Sequence, residues 1–196
     1  MIQPFNICQG PAEVYWGVYG STEPSPTAIT SPPNSAIWTD VGGIADGTSV
    51  LLEVDLTYTE QGVEQLVDAV GARLTKRVTQ LTMALGEATL QNIQLAQNQL
   101  ATISVNSGYS QLSPITASSA TQPTYTALII DGWAPTTGLT ESSARRRIIL
   151  RKSLSSSKLD FEYEKTKPNV FNTTWAGYWC RRAYPRTTSL IKRPDG

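Results

Sequence analysis

The clearest pattern in the chain is VLLEVDLTY at residues 50–58, where Val50, Leu52, Val54, Leu56 and Tyr58 fall on one side and Glu53, Asp55 and Thr57 on the other. A period of two predicts a strand with one face buried and the other wet. AEVYWGVYG at residues 12–20 alternates in the same way, with Val14, Trp16 and Val18 opposite Glu13, Tyr15 and Tyr19. In RLTKRVTQLTMAL the apolar side changes: Leu81, Met83 and Leu85 share one face, Leu74 and Val78 the other. A strand of this kind is expected to pass from one packing environment into another. The period then lengthens. EATLQNIQLAQNQL at residues 87–100 sets Leu90, Ile93 and Leu100 on one helical stripe, predicting a helix of about three turns that covers the open side of a curved sheet. Strand patterns resume in YTALIIDGW, RRRIILRKS, KLDFEYEK and TTWAGYWCRRA. In KLDFEYEK, Leu159, Phe161 and Tyr163 are expected inside and Asp160, Glu162 and Glu164 in water. Seven or eight strands and one helix predict a mainly β fold, a barrel or sandwich with a flanking α-helix.

Between these segments lie three exposed stretches. Residues 21–36 carry Pro24, Pro26, Pro32 and Pro33, which remove backbone donors and exclude a central strand. Residues 59–72 are acidic and contain Gly62 and Gly71, reading as an extended excursion or a long projecting hairpin. Residues 104–124 turn to Ser, Thr, Gly and Pro and read as a long loop. With 196 residues, 40 % of them hydrophobic, residues 1–196 are expected to form a single domain. There is no run of eighteen apolar residues, and the start lacks the basic and apolar regions of a secretion signal, so a soluble protein folded where it is made is expected. Cys8 and Cys180 lack metal-type spacing and are read as free thiols.

The net charge of zero conceals a division. Residues 1–100 hold ten acidic and three basic side chains, a balance of −7; residues 101–196 hold six acidic and thirteen basic, a balance of +7. The halves either neutralise each other within one sheet or attract between copies, head to tail, into rings or filaments.

Histidine is absent, which removes Ser–His and Cys–His catalysis and histidine–zinc sites. No phosphate-loop or dinucleotide glycine pattern follows a strand. Glu162 and Glu164, two apart on one strand, would project about 7 Å from each other, a spacing open to an inverting glycosidase and equally ordinary on a wet strand face. Five tryptophans, with Trp175 and Trp179 as neighbours on one strand, suit a carbohydrate platform or a core. ARRRIILRK offers Arg145, Arg146, Arg147, Arg151 and Lys152 to phosphates, or protects a sheet edge.

Residues 46–96, DGTSVLLEVDLTYTEQGVEQLVDAVGARLTKRVTQLTMALGEATLQNIQLA, resemble the core of the phage major tail protein (tail tube protein) family. The likeness lies in the order of a turn, an alternating strand, and an acidic excursion ending in D-x-V-G-A at residues 68–72. A long strand and a helix opening with L-x-E-A-T-L-x-N at residues 85–92 complete it. It covers about a quarter of the chain. The resemblance implies a barrel-like β-sandwich with a flanking helix, and a structural, non-enzymatic virion protein without cofactor or metal. It implies self-assembly into hexameric rings that stack as the tube through which DNA passes without being gripped. The implied partners are other copies of the chain and the tape measure, tail terminator and tail tip proteins, with no membrane; assembly would occur in the host cytoplasm. Around such rings the sheets of neighbours adjoin, and the 59–72 segment reaches the adjacent ring. The charge division suggests that Glu60, Glu64 and Asp68 meet Arg145, Arg146, Arg147, Arg181 or Arg182 of a neighbour. The Glu53–Asp55–Thr57 and Asp160–Glu162–Glu164 faces are candidate channel linings. Alternatives are a single-ring terminator or connector, and a carbohydrate-binding β-sandwich adhesion module.

Overall fold

The computed structural model describes residues 11–25, 31–46, 48–62, 70–115, 118, 121–133, 145–160, 165 and 169–180. Among them the fold is mainly β: β1 (Ala12–Val18), β2 (Thr39–Asp40), β3 (Leu51–Gln61), β4 (Gly71–Leu85), α1 (Leu90–Ala96), β5 (Ala101–Asn106), β6 (Tyr109–Pro114), β7 (Thr126–Trp133), β8 (Arg145–Ser155) and β9 (Phe171–Gly177). Seven strands form one sheet in the order β2-β1-β7-β8-β9-β4-β3, and β5 pairs with β6 in a sheet of their own. Every pairing is antiparallel.

The sheet curls because the segment after β2 ties its two flanks together. The Val41 amide donates to the Val14 carbonyl on β1, and a bridge joins Ile44 to Leu85 at the end of β4. The Ala45 amide donates to Ala84 and that of Gly86 to Gly43. Inside this curl Val14, Val41, Leu81, Met83, Leu85, Leu128, Ile130, Phe171 and Trp175 make the main core with Leu95 and Ala96 of α1. A second cluster, Tyr15, Trp38, Ala127 and Ile129, lies on the other face of β1 and β7. Both faces of these two strands are therefore covered, which explains the unbroken apolar run Leu128–Ile129–Ile130. Trp38 comes from the chain after the proline-rich stretch and is anchored by its indole donating to the Thr22 carbonyl at 3.0 Å.

The helix is seven residues long, half the length expected from residues 87–100. Thr89 caps it, its hydroxyl accepting from the Asn92 amide at 3.2 Å. It ends where Asn98 and Gln99 take positive φ values of 54° and 59°. Asn98 is held there through its side chain, whose Nδ2 donates to the Ser155 carbonyl while its Oδ1 accepts from the Ser155 amide. The face turned to the core is Asn92, Leu95 and Ala96, whereas Leu90, Ile93 and Leu100 are only half-buried, a correction to the expected stripe. Asn92 decides this rotation. At 2 % exposure, its Nδ2 donates to the Val41 carbonyl at 2.7 Å and to the Glu87 carbonyl at 2.9 Å, so both amide hydrogens are used. Glu87 in turn accepts from the Gly43 amide at 2.9 Å. The E-A-T-L-x-N pattern thus fastens helix to crossing segment.

Two further expectations are corrected. Residues 101–114 form the β5–β6 hairpin, turning at Gly108 with φ 95°, where a long loop was expected from residues 104–124. Thr102, Ile103, Ser104 and Val105 alternate, yet composition masks the pattern because Ser and Thr replace the usual apolar side chains. Residues 158–160 of KLDFEYEK are not in a strand, and residues 161–164, with Glu162 and Glu164, lie outside the described residues.

Asn92→Ala removes two hydrogen bonds and leaves the buried Val41 carbonyl and the part-buried Glu87 carbonyl without those partners. A loss of about 2–3 kcal/mol is expected, read as a lower urea midpoint at unchanged m-value.

Candidate assembly surface

β4 pairs with β9 only from Thr79 to Leu85, while its pairing with β3 runs from Gly71 to Thr82. Residues 71–78 of β4 and 55–61 of β3 therefore leave the sheet as a two-stranded ribbon roughly 20 Å long. Of the excursion read at residues 59–72, residues 59–61 and 71–72 belong to it, with β3 continuing to Gln61 and β4 beginning at Gly71, and residues 63–69 lie outside the described residues.

Cross-strand register fixes what the ribbon shows. Leu52 lies opposite Leu81, Val54 opposite Thr79, Leu56 opposite Arg77, Tyr58 opposite Leu74 and Glu60 opposite Ala72. These pairs share the face that carries Leu81 into the core. The other face carries Glu53 opposite Gln80, Asp55 opposite Val78, Thr57 opposite Lys76 and Thr59 opposite Arg73. Pairing slips by one residue between Thr57 and Tyr58, leaving Thr75 as the extra residue of a bulge, its hydroxyl donating to the Thr57 carbonyl at 3.0 Å. This bulge reverses the parity of β4. Leu74, expected opposite Leu81, is returned to the Leu81 face beside Tyr58, and only Val78 remains on the far side.

The apolar face expected to be buried is consequently buried only at its root. Val54 is 52 % exposed, Leu56 47 %, Tyr58 54 % and Leu74 47 %. Glu60 and Arg77 share this face. A two-stranded ribbon with an uncovered apolar stripe is marginal alone, and contiguous apolar surface of this kind marks interaction sites. β3 is also an edge strand of the sheet, leaving one row of its backbone groups open to another strand. The signal in the sequence was Glu60, which continues the even-numbered face of Val54, Leu56 and Tyr58 and has no place in a core.

The proposed ionic partners divide. Glu60 stands on the ribbon, with Arg146 exposed on β8. Arg147 is taken up inside the molecule: it lies opposite Asp131, donates through Nε to Oδ1 at 2.7 Å and through a terminal nitrogen to Oδ2 at 2.6 Å, and also reaches the Ser31 carbonyl. Its side chain is 7 % exposed and that of Asp131 fully buried. Four residues on, Arg151 pairs with Glu23. The two arginines therefore fasten the proline-rich stretch over β8 and neutralise part of the charge division internally. Arg145 begins β8, its side chain outside the described set; Glu64, Asp68, Arg181 and Arg182 lie outside the described residues altogether.

The tryptophan pair does not make a platform: Trp175 is fully buried in the core and Trp179 is 77 % exposed. Cys180 is a free thiol, and Cys8 lies outside the described residues. Asp160 forms an exposed pair with Lys158 at 2.8 Å, whose hydrogen bond and charge hold the Lys158 ammonium above its ordinary pKa. Among the described residues no group of three or more Asp, Glu or Cys side chains is arranged to hold a metal, and no helix is long and apolar enough to cross a membrane. Neither a scan against protein-family models nor a search of curated proteins gave a match to this chain.

The three consecutive arginines separate by experiment. Asp131→Ala, which strands a buried guanidinium, is expected to cost about 3–5 kcal/mol in urea unfolding, and Arg146→Ala less than about 0.5 kcal/mol.

Proposed function

We propose that this chain is a structural subunit of the phage tail tube type, which works by self-assembly into stacked rings around a channel and has no catalytic role. The observation that carries this reading is the ribbon, which extends the core face of the sheet into solvent with four large apolar side chains about half exposed. Burying the remaining half of each is worth roughly 1 kcal/mol per side chain, about 4 kcal/mol in all. Association costs about 4–15 kcal/mol in lost freedom of motion, so one such contact does not hold a pair of copies together. Many contacts made in concert do, as in a closed ring or a stack of rings. The exposed surface thus favours a polymer over a simple dimer.

The curled sheet and the helix docked on it agree with the barrel-like sandwich and flanking helix of tail tube subunits. The E-A-T-L-x-N residues that carry the resemblance have definite work in this fold, and residues 59–61 and 71–72 of the segment that would reach a neighbouring ring lie on the projecting ribbon. Covering the apolar stripe leaves the Glu53–Asp55–Thr57 face wet, with Lys76 and Arg73 across from it. In this reading that mixed-charge face is the candidate channel lining, suited to letting a polyanion slide without gripping it. Other copies, the tape measure, the tail terminator and the tail tip proteins would be its partners in the virion tail.

Negative-stain microscopy of concentrated purified protein is expected to show tubes of uniform bore, or rings that stack into them. Leu56→Glu is expected to leave a monomer in gel filtration with unchanged far-ultraviolet circular dichroism and unfolding midpoint. Wild-type protein that stays monomeric at the highest attainable concentration overturns the reading, as does a Leu56→Glu protein that assembles normally.

A further inference from the structure

A second exposed apolar group is built from strand ends. Tyr19 follows β1, Tyr125 precedes β7, Lys152 lies near the end of β8 and Tyr178 follows β9. Two backbone hydrogen bonds gather them, from the Tyr19 amide to the Tyr125 carbonyl at 3.0 Å and from the Tyr178 amide to the Lys152 carbonyl at 2.8 Å. The rings of Tyr19 and Tyr125 meet edge-on at 6.4 Å, and those of Tyr125 and Tyr178 at 5.8 Å. The Lys152 ammonium lies over this group, 4.1 Å from the Tyr125 centroid and 5.6 Å from that of Tyr19. Tyr19 is 43 % exposed and Tyr178 47 %.

We infer that this tyrosine–lysine cluster is the seat for the apolar stripe of another copy's ribbon, with Glu60 of the ribbon meeting Lys152. The inference rests on the self-assembly proposed above and names the two surfaces that would meet. Three observations favour it. The backbone of each surface is hydrogen-bonded, that of the rings between strand ends and that of the stripe by strand pairing, so docking has chiefly side chains to order. Both are largely apolar, and opposite charges can meet: the ribbon face carries Glu60 towards its tip, with Arg77 nearer the body, and the cluster carries Lys152; among the described residues no carboxylate pairs with Lys152 and no cation with Glu60. The surfaces are also different, so a contact between copies leaves one ribbon and one cluster free at the two ends. That is the heterologous arrangement a ring or stack requires, whereas ribbon against ribbon would stop at two.

The test uses variants that each lose one surface, Leu56→Glu for the ribbon and Tyr178→Glu for the cluster, with Tyr19→Glu in place of Tyr178→Glu should the latter change the circular dichroism. Each alone is expected to be monomeric by light scattering, and so is an equimolar mixture, since the one ribbon–cluster contact it can form is too weak to hold a pair. Glu60→Lys and Lys152→Glu are each expected to raise the concentration needed for assembly about tenfold, and the double exchange to restore it. A Tyr178→Glu protein that still associates with itself, or a double exchange that fails to restore assembly, overturns the inference. Either result beside normal wild-type tubes leaves the tail tube reading standing; wild-type protein that never assembles removes both.

Discussion

One buried amide sets the shape of this molecule. Asn92 has no apolar content to offer the core, yet it is almost fully enclosed because its two hydrogens satisfy carbonyls of two separate segments, Val41 after β2 and Glu87 just before the helix. An unpaired carbonyl in such a place carries a desolvation cost of a few kcal/mol, so the helix has one favourable rotation against the crossing segment. With that rotation fixed, Leu95 and Ala96 enter the core, and the crossing segment is held where it can join β1 to β4. The curl of the sheet follows, and with it the direction in which β3 and β4 leave the body.

The ribbon and the core are one surface read at two distances from the centre. Leu52 and Leu81 pack inside, and the same face continues through Val54, Leu56, Tyr58 and Leu74 into solvent. Only the single-residue bulge at Thr75 keeps this face coherent, by compensating for a change of parity in the sequence of β4. Elsewhere the molecule spends its ionic groups internally. Arg147 and Arg151 hold the proline-rich stretch against β8, and that stretch delivers Trp38 to the second core. Strict division into acidic and basic halves therefore overstates what is free for a partner.

Much of the architecture was legible in residue order. Alternation located β1, β3 and β4, continuous apolar runs located β7 and β8, and the change of period located the helix. What was illegible has identifiable causes. Periodicity reports that Leu56 and Tyr58 share a face, but not whether the chain has anything to lay on it. A bulge changes which residues share a face without changing composition, so Leu74 was assigned to the wrong side. Arg146 and Arg147 are chemically identical neighbours, and only the register that sets Arg147 opposite Asp131 tells the buried one from the exposed one. The β5–β6 hairpin was hidden by its serines and threonines. The helix was read too long because Asn98, which tolerates a left-handed backbone, sits equally well on a polar helix face, and Gln99 gives no signal of one.

The open edge of β3 carries its own safeguard. Glu53 and Asp55 alternate with Leu52, Val54 and Leu56 along that edge. Stacking this strand in register on its own duplicate, the geometry of amyloid, would set each carboxylate directly on its twin and penalise every added layer. The same hydrophobic side chains that would invite association are thus interleaved with a veto on its pathological form.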